Sequence, residues 1–187
     1  MKRYLALAAI FAVLLSACAT PPTEEMNKAH DAVMRAENDS DAVTYAGSTL
    51  IRARDALTRM QTEADAKRYD AAKNYATEAV NLAESAIADG RTGAARARDE
   101  ADNLLRSLQV PLAETSNALD TAQQNDMKLD YDTLSGDMEN ANRTYSDARQ
   151  NLEDENYGDA TAKGQAVRGI LSSINSSLND AAATRKQ

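Results

Sequence analysis

The sequence predicts an all-α protein: an elongated antiparallel helical bundle made of two duplicated helical units that share a long central helix. Three observations predict it. Alanine dominates the apolar residues, and only seven glycines and three prolines occur in 187 residues. Alanine has the best helix propensity, whereas strands favour β-branched and aromatic side chains. Apolar positions also recur at alternating spacings of three and four, which draws a single stripe along a helix. Finally, the second half repeats the apolar positions of the first at an offset of 88 residues.

The elements follow from that stripe. Pro21 and Pro22 cannot lie inside a helix, so residues 19–23 read as a short tether. Thr23 is placed to cap a first helix, with Glu24 and Glu25 in its favourable first turn. Met26, Ala29, Val33 and Ala36 form its apolar face, and the turn formers at residues 37–41 end it near Asn38. A second helix is expected over residues 42–66, with Ala46, Leu50, Ala53, Leu57, Met60 and Ala64 on its stripe. Arg52, Arg54 and Arg59 lie off that stripe and read as a solvated face.

Lys67, Arg68 and Tyr69 then turn the chain, and Asp70 is expected to cap the next helix. Ala72, Ala76, Ala79, Ala83 and Ala86 continue the stripe with side chains small enough for a close helix–helix approach. The register runs on to Leu108. Residues 70–109 therefore read as one helix of ~60 Å at 1.5 Å per residue, or as two helices broken near Gly90 and Gly93, since each glycine costs up to ~1 kcal/mol in a helix. Pro111 is expected to kink or break it. Further helices are expected over residues 112–124, over a stripe from Leu134 to Leu152, and over a stripe from Ala160 to Leu178.

The offset of 88 pairs Leu50 with Met138, Ala53 with Ala141, Tyr69 with Tyr157 and Ala86 with Ile174. A shared helical period would match apolar positions alone. It would not also place a tyrosine and a turn at equivalent points, which favours duplication. The resulting organisation is a signal segment over residues 1–17, a tether over 18–23, one helical unit over 24–109 and a second over 110–187.

The N-terminus carries a different signal. Lys2 and Arg3 precede an apolar run over residues 5–15, which is too short for a bilayer-spanning helix of ~20 residues but suits a secretory signal peptide. Leu15-Ser16-Ala17-Cys18 resembles the lipobox of bacterial lipoproteins. The resemblance implies cleavage before Cys18 and acylation of Cys18, the only cysteine of the chain. An intramolecular disulfide has no second thiol. More than one acyl chain makes anchoring stable. Ala19 after the cysteine, rather than aspartate, implies by resemblance to the enterobacterial sorting pattern that the protein faces the periplasm from the outer membrane.

Charge narrows the partners. The formal charge of −8 becomes −10 once Lys2 and Arg3 leave with residues 1–17. An acidic chain has no basic face for nucleic acid and no charge-driven attraction to anionic lipid.

Residues 29–90 are similar to an uncharacterised helical domain of unknown function found in bacterial envelope lipoproteins. The similarity lies in Arg52 to Leu57, in Arg68-Tyr69-Asp70-Ala71-Ala72, and in Ala76, Ala79 and Ala83. Relatives of this kind often carry an OmpA-like peptidoglycan-binding domain, but no strand-rich segment occurs here, so that mode of peptidoglycan contact is not implied. Tyr69, Ala72 and Ala79 also look like the second helix of a tetratricopeptide repeat. Lys186, near the C-terminus, is similar in place to the lysine that joins the small murein lipoprotein to the cell wall, although Gln187 follows it.

Catalytic signals are weak. His30, the single histidine, sits at the edge of the first apolar face and reads as a half-buried helix residue. No His/Cys metal spacing and no Ser-His-Asp set is assembled in sequence. Asp39 and Asp41, Asp99, Glu100 and Asp102, and Asp126, Asp130 and Asp132 read as caps or solvated faces. The last group lacks the glycine and terminal glutamate of a calcium loop. No catalytic residue, cofactor or metal is therefore assigned. The expected function is that of a helical scaffolding or protein-interaction lipoprotein with envelope protein partners. A lipid- or glycan-binding lipoprotein is the alternative, and an envelope hydrolase ranks last.

Overall fold

A computed structural model describes residues 20–184, so Cys18 and the signal segment lie outside the described residues. The described residues form α1 (Thr23–Glu37), α2 (Ser40–Tyr45), α3 (Gly47–Asp65), α4 (Tyr69–Gln124), α5 (Tyr131–Glu153) and α6 (Tyr157–Thr184), with no strand among them. The all-α class and the long shared helix are as the sequence predicts. The chain divides into two compact units at Thr92 and Gly93, inside α4, rather than between residues 109 and 110.

Unit 1 packs α1, α2, α3 and the first part of α4 around a core made largely of alanine, with Val33, Leu50 and Met60 as its bulkier members. Small side chains let the helix backbones come close, and Gly90 marks one close approach. A Cβ built there would stand 2.5 Å from the Ala42 nitrogen and 2.6 Å from the Asp41 carbonyl carbon. α4 runs through Gly90 without a break. Gly90 is the position where the α4 backbone meets that of α2.

The expected helix over residues 42–66 is two helices. The Asp39 carboxylate accepts a hydrogen bond from the Ala42 amide at 2.9 Å and starts α2 at Ser40, two residues earlier than expected. Ala46 then leaves helical geometry at φ −125° and ψ 28°. At the other end, Thr23 does not cap α1. Pro22 occupies the cap position with no side-chain hydrogen bond, and its carbonyl accepts from the Met26 amide at 3.0 Å. Pro22 is buried, so the expected tether is already docked at that residue, and Thr23 belongs to α1.

The three helix ends at Asp65, Gln124 and Glu153 close in one way. Lys67, Asp126 and Glu155 take left-handed φ values of 58°, 50° and 62°. The Lys67 amide donates to the Ala64 carbonyl and the Arg68 amide to the Glu63 carbonyl, both at 2.9 Å, which satisfies two orphan carbonyls of α3. The Glu155 and Asn156 amides do the same for Leu152 and Asn151 of α5, at 3.3 and 2.8 Å. These bonds repeat at the 88-residue offset, as does the donation from Ala72 to Arg68 and from Ala160 to Asn156, each at 3.0 Å. The turn chemistry of the two units is thus the same. Asp70 and Asp159 sit in the first turns of α4 and α6, which begin at the tyrosines, and Asp70 is not a cap.

Unit 2 packs the later part of α4 with α5 and α6. Its core uses larger side chains: Leu104, Leu105 and Leu108 from α4, Leu134 and Met138 from α5, and Val167, Leu171 and Ile174 from α6. Gly164 admits Leu104, whose Cδ2 lies 2.8 Å from where a Cβ would be. Asn175 Nδ2 donates to the buried Thr115 Oγ1 at 2.9 Å, which pairs a polar side chain that folding removes from water.

Pro111 does not break α4. A proline inside a helix costs about 3 kcal/mol and frees the carbonyl four residues back. Here that is Ser107, an exposed residue whose carbonyl water can reach. Leu108, Leu112 and Leu119 are buried on the opposite face. At about 1.5–3 kcal/mol each, their burial outweighs the proline.

Candidate functional site

The predicted lipid-attachment residue, Cys18, lies outside the described residues, so the surfaces of the two units are what can be built up residue by residue. The acidic clusters are used in folding. Asp39 caps α2, and Asp130 caps α5 by accepting from the Thr133 amide at 3.1 Å and from Thr133 Oγ1 at 2.8 Å. Asp102 pairs with Arg106 at 2.9 Å, and Asp126 holds the left-handed turn after α4. Among the described residues, no group of three or more His, Cys, Asp or Glu side chains is arranged to hold a metal ion. His30 is exposed, not half-buried as the stripe suggests.

The Thr133 hydrogen bonds hold the Asp130 carboxyl below its ordinary value of 3.8. A depressed folded-state pKa contributes stability that is present above the unfolded value and lost as pH falls through the folded one. Wild-type unit 2 should therefore lose resistance to urea below about pH 3.8. Asp130→Asn, which still caps, should show a smaller drop over that interval. Equal acid sensitivity in the two proteins would show that Asp130 does not carry it.

Ion pairs tie unit 1 together at its edges. Lys73 meets Glu25 at 3.0 Å and Arg54 meets Glu37 at 2.6 Å, while Arg68 pairs with Glu63 at the α3–α4 turn. Their partners hold Glu25 and Glu63 below the ordinary glutamate value. Arg59 lies over the Tyr75 ring at 5.9 Å from its centre. The arginines expected on a solvated face therefore bridge helices in two of three cases, Arg54 and Arg59. Exposed pairs of this kind contribute little to stability.

The concave feature of unit 1 is an open groove of about 790 Å³ between α1 and α4. Met34 and Val80 supply apolar surface, and Lys28, Asp31, Arg35 and Glu84 supply charge. Met34 is 55% exposed, to a similar degree as Val43, Ile51 and Val110. A smaller depression shares Lys28 and Val80 and carries the groove on to Glu25 and Ala76. The groove was not read from the sequence, although a signal exists: Met34 falls off the Met26–Ala29–Val33–Ala36 stripe. In unit 2, Asn117, Ala118, Thr121 and Ala122 line a depression at the end of α4 facing α6. They lie 86 residues after Asp31, Ala32, Arg35 and Ala36. The opposite wall of this depression is Leu178, Asn179 and Ala182 of α6. The Tyr145 hydroxyl of α5 is buried without a hydrogen-bond partner, beside a core that its ring packs against.

No helix among the described residues is long and apolar enough to cross a membrane. No curated protein and no solved structure matches the chain. Residues 24–102, less than half of the chain, match a family model described as a domain of unknown function (DUF4398), a span that takes in α1, α2, α3 and the first part of α4.

Proposed function

We propose that the protein is a lipoprotein anchored through Cys18 to the periplasmic face of the outer membrane, where its helical units serve as a scaffolding or protein-interaction module. The observation that carries this reading is the Leu15-Ser16-Ala17-Cys18 motif directly after a basic pair and an apolar run. The match of residues 24–102 to a domain of unknown function agrees with the resemblance of residues 29–90, but it assigns no activity. Two features support an interaction role. The carboxylates at Asp39 and Asp130 are occupied as helix caps, and the grooves of both units are open surfaces rather than enclosed cavities.

The test is fractionation of cells making the wild type or Cys18→Ala, with radiolabelled palmitate supplied. The wild type should carry label and sediment with the outer membrane. Cys18→Ala should carry no label and leave that fraction. Label that persists without Cys18, or a wild type that remains soluble and unlabelled, would refute the anchor. Cross-linking in intact cells then reads the second half of the proposal, and recovery of no envelope protein would count against an interaction role.

A further inference from the structure

One end of unit 1 gathers three helix ends. α1 begins there at Thr23, α3 closes there at Asp65, and α4 starts there at Tyr69. Lys73 of α4 meets Glu25 of α1 at 3.0 Å, and further along both helices Lys28 and Val80 line one depression, so α1 and the first part of α4 leave this end side by side. The start of the described chain is docked here as well. Pro22 is buried, and the Pro21 carbonyl accepts from the Thr23 amide at 2.8 Å. Pro22 follows Cys18 by four residues. A fully extended chain spans at most about 3.6 Å per residue, so the two Cα atoms lie within about 14 Å of each other. Charge does not oppose a surface at this end. Over residues 23–28 and 63–73, four lysines and arginines stand against five carboxylates. Three of those carboxylates are ion-paired, Glu24 with Lys28, Glu25 with Lys73 and Glu63 with Arg68.

Given the acylation of Cys18 proposed above, on which this rests, we infer that this end of unit 1 is a membrane-facing surface. The short tether holds the α3–α4 turn at the headgroups of the leaflet that carries the anchor, and α1 and α4 lead away from it. A lipid leaflet is the partner because the acylated residue lies within about 14 Å of a docked one, too short a reach for the turn to stand clear of the bilayer. Lying flat is opposed by charge, since a chain of formal charge −10 after loss of residues 1–17 is repelled by anionic headgroups along its sides. The 15 residues of α1 span about 22 Å at 1.5 Å per residue. Ser40, just past the far end of α1, therefore stands clear of the headgroups while the turn at residues 66–68 does not.

The test uses the full chain extracted from membranes and reconstituted into vesicles of phosphatidylethanolamine and phosphatidylglycerol that contain a headgroup spin-labelled lipid. Ala66→Cys places a thiol at the turn, and Ser40→Cys places one past the far end of α1; both positions are exposed. Acylation of Cys18 leaves each variant a single reactive thiol for a fluorescent maleimide. The dye at residue 66 should lose most of its emission to the spin label, and the dye at residue 40 should keep most of it. Inserting about 25 glycine and serine residues after Ala19 lengthens the tether by roughly 25–30 Å and should restore the emission at residue 66. Equal quenching at the two positions, no quenching at either, or quenching at residue 66 that survives the insertion would each overturn the inference. The intact mass of each preparation separates the two proposals. Any of these results in a chain that carries acyl groups refutes the membrane-facing end alone, whereas a chain without them refutes the anchor and the membrane-facing end together.

Discussion

Gly90→Ala is expected to destabilise unit 1 even though it puts a better helix former into the middle of a helix. The propensity gain is up to about 1 kcal/mol. Against it, the new Cβ would lie 2.5 Å from the Ala42 nitrogen and 2.7 Å from the Ala42 Cα. Those atoms are backbone and cannot rotate away as a side chain would. Over-packing of this kind costs about 3 kcal/mol, so a net loss of about 2 kcal/mol remains. The same α2 backbone carries the Asp39 cap, so any shift away from α4 also strains the 2.9 Å bond to the Ala42 amide. Gly169→Ala in α6 supplies the contrast, because nothing lies within 4 Å of its Cβ position. That change should stabilise by up to about 1 kcal/mol. Urea titrations followed by helical ellipticity read both, and a stabilising Gly90→Ala would refute the close approach of α2 and α4.

Ile174→Ala should cost about 4 kcal/mol, within the range for deleting a fully buried branched side chain and leaving part of its volume empty. Ile174 is 0% exposed and belongs to the core formed by α4, α5 and α6. Its equivalent 88 residues earlier is Ala86, also 0% exposed. The reciprocal change, Ala86→Ile, should also destabilise, by over-packing rather than by a cavity. Both changes harming stability would show that the two units share turns and register but not helix spacing. An Ile174→Ala protein as stable as the wild type would mean that the α6 stripe does not form a packed core.

The stripe made the class legible, since a period of three and four over alanine-rich sequence has few other solutions. The turns at residues 66–68 and 154–156 were legible as a repeat because Tyr69 and Tyr157 mark equivalent helix starts. Pro111 misled, because its local cost is visible in sequence while the burial of Leu108, Leu112 and Leu119 that offsets it is tertiary. The single helix through Gly90 was legible from its stripe, but the reason for the glycine was not, since only folding sets the backbone of Ala42 against it. The break at Ala46 was hidden because Ala46 and Leu50 keep the apolar spacing across it. Of the candidate surfaces, Met34 carried a faint signal by standing off its stripe, and the opposed Arg35 and Glu84 carried none, since only folding brings α1 beside α4. Cys18, by contrast, was read wholly from sequence.

The intact mass of the protein extracted from membranes of the cells that make it tests the anchored account most directly. A chain starting at Cys18, heavier than its residues by diacylglycerol and an amide-linked acyl group, is the predicted result. A species carrying all 187 residues with no added lipid would contradict it.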